Sequence, residues 1–108
     1  MSSIVQDIGN IQVVVGSGGG STATETFVNE SQASVALVAS NTNRLKVIIV
    51  NESNKSLWIR YVSPADEDVG IEIKAGDIWV EGDYTGVIYG SWDSGAKDGA
   101  RVTEITTQ

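Results

Sequence analysis

Residues 44–62 read RLKVIIVNESNKSLWIRYV, two apolar-rich runs around a polar centre. In "RLKVIIV" (44–50), Leu45, Val47 and Ile49 share one face, and Lys46, Ile48 and Val50 share the other. A period of two marks a strand, because successive side chains point to opposite faces of a sheet. The far end of this run is apolar on both sides, which predicts burial on both faces there. "SLWIRYV" (56–62) repeats the pattern, setting Leu57, Ile59 and Tyr61 against Trp58, Arg60 and Val62. The intervening "NESNK" has the length and polarity of a hairpin loop.

Further strands follow on both sides. "SVALVA" (34–39) is a short β-branched run, and "VGIEIKAG" (69–76) places Val69, Ile71 and Ile73 inward with Glu72 and Lys74 outward. "DIWVEG" (77–82) comes directly after the Ala75-Gly76 turn, and "YTGVIYGSW" (84–92) and "ARVTEIT" (100–106) complete the set. In "GVIYGSW" the glycines suit a packed strand that a neighbour approaches closely. No stretch carries a helical period. Short strands separated by turn signals predict an all-β single domain, a jelly roll or β-sandwich. Its expected core is Val47, Ile49, Leu57, Ile59, Ile71, Ile73, Ile78, Val80 and Val87.

The amino-terminal part is different in kind. "IQVVV" (11–15) has strand propensity. "GSGGGSTAT" (16–24) is linker-like, native or engineered, since glycine is conformationally costly to order and has no side chain to pack. The expected organisation is an N-terminal extended arm and Gly/Ser linker over 1–26, then the β domain over 27–108. Such an arm can bind by adding a strand to an open sheet edge; the plainer reading is a disordered terminus.

Composition limits the chemistry. The chain has 108 residues, with neither cysteine nor histidine. Disulfides, thiolate metal sites and the usual imidazole base or zinc ligand are therefore excluded. The net charge is −7, and the seven basic residues are scattered beyond position 40. That pattern disfavours nucleic acid and anionic membranes as partners, since both are bound by clustered Lys and Arg. No apolar run approaches the roughly 20 residues of a membrane span. The start "MSSIVQDIGN" lacks the features of a signal peptide, so synthesis in the cytoplasm is expected.

Two acidic loops, "SPADEDVG" (63–70) and "WDSGAKDG" (92–99), carry oxygen ligands that calcium could use, but neither has EF-hand spacing and both read as ordinary turns. The "GSGGG" run lacks the Lys-Ser/Thr and helix of a phosphate loop. Glu72 and Glu81 resemble an acid-base pair only superficially, because strand alternation already accounts for them. No catalytic, cofactor or metal residue is therefore predicted, and the protein is expected not to be an enzyme. The aromatic residues Trp58, Trp79, Tyr84, Tyr89 and Trp92 are the candidate interface, together with Ile11, Val13 and Val15 of the arm. Trp58 and Trp79 lie out of phase with the aliphatic face, which suggests a second buried surface between subunits. A sugar-stacking platform is the alternative use of these rings.

One set of positions resembles a family. Arg44 leads a strand that ends at Asn51. Trp58, Ala75-Gly76, Tyr84-Thr85-Gly86, Gly90, Trp92, Ala100, Val102 and Glu104 follow at matching places. Over residues 34–106 the chain is similar to small virion structural proteins of tailed bacteriophages, with Ala75 standing where that pattern has proline. The resemblance implies a capsid decoration (cement) protein bound to the major capsid protein, on the exterior of the virion. A tail, neck or head-fibre accessory is the alternative within the group, and a non-enzymatic carbohydrate-binding module is the alternative outside it. By analogy with decoration proteins on capsid symmetry axes, a homo-oligomer is expected, a trimer before a dimer.

Overall fold

The computed structural model describes residues 20–107. Eight strands run in order as β1 (Ser21–Asn29), β2 (Val35–Val38), β3 (Arg44–Asn51), β4 (Leu57–Arg60), β5 (Ile71–Ile73), β6 (Ile78–Glu81), β7 (Ile88–Trp92) and β8 (Gly99–Thr107). No helix occurs among the described residues. The first sheet has the order β1-β8-β3-β6 and the second β2-β7-β4-β5, and every pairing is antiparallel. The pairs nest: β4 with β5, β3 with β6, β2 with β7, β1 with β8. A long antiparallel ribbon wound so that its pairs alternate between two sheets is a jelly roll. The domain is therefore the all-β sandwich that the alternation predicts.

The core lies between the sheets. Val47, Ile49 and Val102 from the first sheet meet Leu37, Leu57, Ile59, Ile73, Ile88 and Trp92 from the second, all at most 3% exposed. Gly90 is buried in β7 for a steric reason. A Cβ there would stand 2.8 Å from the Leu37 side chain, so only glycine lets β2 lie this close.

Several expectations need correction. Of the nine expected core residues, Val47, Ile49, Leu57, Ile59 and Ile73 are buried, and Ile71 packs against the core at its margin. Val69, expected inward, is 41% exposed, and Val87 is only half-buried just before β7. Ile78 and Val80 are exposed instead, because β6 runs in the opposite phase. Its register sets Trp79 opposite Ile49, so Trp79 shares the inward face, while Val80 opposite Ile48 and Ile78 opposite Val50 face out.

The start of β3 is also re-phased. Its pairing with β8 shifts between Arg44 and Lys46, leaving Leu45 as the extra residue of a bulge. Arg44 thereby turns inward, and Leu45, which alternation places on the face of Val47 and Ile49, turns out. Finally, β1 begins at Ser21, inside the stretch that composition marks as linker, and before the expected domain start at residue 27. Thr22, Thr24, Thr26 and Val28 are its sheet-forming β-branched set. The strand pairs with β8 along its whole length, from Ser21 opposite Thr107 to Asn29 opposite Gly99.

Candidate interaction surface

Two buried polar residues make the scaffold rigid. The Arg44 guanidinium, 1% exposed, donates from Nε to Glu104 at 2.9 Å. Its Nη1 donates to the carbonyls of Tyr84 (3.0 Å) and Gly86 (2.9 Å), and its Nη2 to that of Ala39. One cation thus ties β3 and β8 to the end of β2 and to the segment that enters β7. At the other end of β3, the Asn51 amide donates to the carbonyls of Lys55 and Ile73, both at 2.8 Å. Its Oδ1 accepts from Ser53 N (3.1 Å), Ser53 Oγ (2.8 Å) and Trp92 Nε1 (3.3 Å). This single amide closes the 51–56 loop and links the two sheets.

The aromatic candidates separate into different roles. Trp92 is fully buried and belongs to the core, so it cannot take part in a surface contact. The cause is its position on the inward face of β7, two residues on from Gly90. Trp79 also packs against the core, and its indole N–H is buried with no hydrogen-bond partner among the described residues. Tyr84 stacks on Tyr61, with ring centroids 4.6 Å apart, and its hydroxyl donates to the Tyr61 carbonyl at 3.1 Å. The Tyr61 hydroxyl in turn donates to Glu81. Burial and the Glu81 carboxylate push the Tyr61 hydroxyl up to about 12, while the bond from Tyr61 holds Glu81 below the usual carboxylate range. The Tyr61–Tyr84–Glu81 group therefore clamps the end of β4 to the end of β6.

Trp58 and Tyr89 stand on the outer face of the second sheet, half-buried. Trp58 is opposite Ser91, and Tyr89 lies between Ala36 and Arg60. The Trp58 indole donates to Asp93 at 2.8 Å. Ile11, Val13 and Val15 lie outside the described residues.

The acidic loops serve their own turns. Asp66 Oδ1 accepts from the Glu67 amide, and Asp68 adopts a left-handed φ of 64°. Asp98, at φ 73°, presents its carbonyl to Glu30 N. Among the described residues, no three carboxylates converge as a metal cluster would require.

A surface that the aromatic reading missed lies on the outer face of the first sheet. Ile78 (62% exposed) and Val80 (53%) on β6 stand beside their half-buried cross-strand partners Val50 and Ile48. Directly opposed side chains lie about 5 Å apart at Cβ, so the four form one continuous apolar stripe. It runs along β6, which forms the edge of its sheet. On the β8 side it is bounded by Arg101, which bridges Glu52 (2.9 Å) and Glu25 (3.0 Å) and covers the Phe27 ring at 5.5 Å. A contiguous apolar stripe with a charged border has the make-up of a protein contact surface.

No family model, curated protein or solved structure matches the chain.

Proposed function

We propose that this protein is a structural component of a tailed-phage virion, a decoration protein that binds the major capsid protein and acts without catalysis. The observation that carries the reading is the Ile48–Val50–Ile78–Val80 stripe. It offers a flat apolar contact on a rigid sheet, as a subunit bound to a shell requires. Further support comes from where the family-like positions fall. Arg44, Asn51, Trp92 and Glu104 all hold the sandwich together, which suits a shared module whose contact surface varies. The jelly roll adds support by analogy only, since viral capsid domains and lectins both use it. The carbohydrate-binding alternative loses Trp92 as a stacking ring, because Trp92 is buried.

In this reading the stripe faces the capsid or a sister subunit, and the protein assembles as a homo-oligomer, a trimer on the capsid exterior. The test is co-sedimentation with capsids of the encoding phage, comparing the wild type with Val80→Lys and Ile78→Glu. Both substitutions fall at exposed sites, so both variants should keep the wild-type circular dichroism spectrum, which is checked before binding is read. Binding that weakens at least tenfold in both variants supports the reading. A folded wild-type protein that does not sediment with capsids overturns the capsid assignment. Unchanged binding by both variants overturns the stripe as the contact.

A further inference from the structure

The sandwich is open along one side. The second sheet ends at β2, which pairs only with β7 among the described strands. The facing strand β1 is held only by β8, and Ser21–Phe27 are exposed on both faces. Between β1 and β2 lies a groove of about 360 Å³, walled by Thr24 and Thr26 of β1, Ala36 and Val38 of β2, and Val102 and Glu104 of β8. Its size falls within the roughly 300–1,000 Å³ in which proteins receive ligands. Two features of it are unfinished. Among the described residues, the outer N–H and C=O groups of β2 have no strand neighbour, which makes them a template for one. Among the described residues, no strand is packed across the inner face of β1.

The chain outside the described residues has a segment suited to both. Residues 1–19 lead directly into β1, and within them "IQVVV" (11–15) alternates Ile11, Val13 and Val15 on one face. Residues 16–20, "GSGGG", join it to Ser21. Five residues span at most about 17 Å. Thr24 stands three residues along β1 from Ser21, about 10 Å away at the strand rise. Position 15 can therefore turn back and reach the groove. A tether this short also gives an effective concentration in the millimolar range, so the chain's own segment outcompetes one from a neighbour in dilute solution.

We propose that residues 11–15 occupy this groove in the same chain, as a ninth strand on the free edge of β2, with Ile11, Val13 and Val15 turned toward Thr24, Thr26 and Val102. The inference does not draw on the capsid reading and is tested on the isolated protein.

The chain has no cysteine, so introduced pairs report without background. The full-length variant Val13→Cys/Val38→Cys uses a groove position on β2 whose cross-strand partner is the inward Ile88. Oxidised at low protein concentration, it should form a disulfide within one chain, read as a loss of two hydrogens in mass and faster migration on a non-reducing gel. Val15→Cys/Thr24→Cys is a second pair at the same groove, on the β1 side. Val13→Cys/Val80→Cys, which targets the distant β6 edge, should keep free thiols. A disulfide that joins two chains overturns occupancy in the same chain and gives the groove to a sister's arm. Free thiols in both groove pairs overturn the groove as the site. Amide exchange gives an independent reading: in full-length Val13→Asp, the Leu37 and Val38 amides should exchange faster than in the wild type, and equal rates overturn strand addition.

Discussion

Replacing Asn51 by alanine tests how far one side chain holds this sandwich together. The truncation removes five hydrogen bonds. Two groups are only partly affected, because Ser53 Oγ still donates to the Lys55 carbonyl at 2.8 Å and so satisfies both. Three buried groups lose their partner: the Ile73 carbonyl, the Ser53 amide and the Trp92 indole N–H. An orphaned buried polar group costs about 1–3 kcal/mol. Water entering the vacated space recovers part of this, which leaves about 3–5 kcal/mol. A domain of this size has a total stability of about 5–15 kcal/mol. At about 4–8 °C per kcal/mol, the melting temperature should fall by at least ~12 °C. Urea denaturation followed by tryptophan fluorescence and by far-ultraviolet circular dichroism measures the loss. Ser53→Ala is the control, since it leaves Asn51 with four of its five bonds and should cost only about 1 kcal/mol. A loss below about 1 kcal/mol for Asn51→Ala, with an unchanged denaturant slope, would refute the hub argument.

Two further outcomes follow from the same geometry. Trp92→Phe should destabilise more than Trp79→Phe in parallel denaturant melts, because the Trp92 N–H is bonded to Asn51 while the Trp79 N–H has no hydrogen-bond partner among the described residues; the reverse order would sink the distinction. The folded state holds the Tyr61 proton more tightly than an ordinary tyrosine, near 12 against 10.0. Its contribution to stability is therefore complete below pH 10.0 and is lost as pH rises toward 12. Glu81 is held low, so its contribution is present above the usual carboxylate value and is lost as pH falls through its depressed one. Stability profiles of the wild type and Tyr61→Phe should differ in slope on the alkaline limb, and parallel limbs would contradict the assignment.

What the sequence discloses depends on contrast between faces. In β4 and β5, Arg60 follows Ile59 and Glu72 lies between Ile71 and Ile73, so these two charged residues mark the outside and the phase reads correctly. In β6, Ile78, Trp79 and Val80 are all apolar, and no tag separates inside from outside. Only the cross-strand register with β3 decides it, and register is a tertiary property. That ambiguity also hid the outer apolar stripe, since an apolar residue on the outer face looks like core. The bulge at Leu45 defeats alternation in another way, by inserting one residue, and Arg44 becomes internal although its type suggests surface. β1 was hidden because a strand exposed on both faces has no apolar periodicity, and its threonines resemble linker. Trp92 and Trp79 were legible as packed aromatics but not as facing the core, because ring size alone does not give direction.

The nesting of the strand pairs bears on how the molecule is made. The innermost hairpin, β4 with β5, can close as soon as its residues are synthesised. Each outer pair must wait for a partner further along the message, and β1 waits longest, since Ser21 is matched to Thr107. During translation β1, the earliest of the described strands, therefore stays unpaired until nearly the whole chain has left the ribosome. The closing step is the most non-local and hence the slowest to reward its loop entropy. A ribosome stalled before the β8 codons would carry a chain whose first sheet cannot assemble, with the free edge of β3 open to other nascent chains.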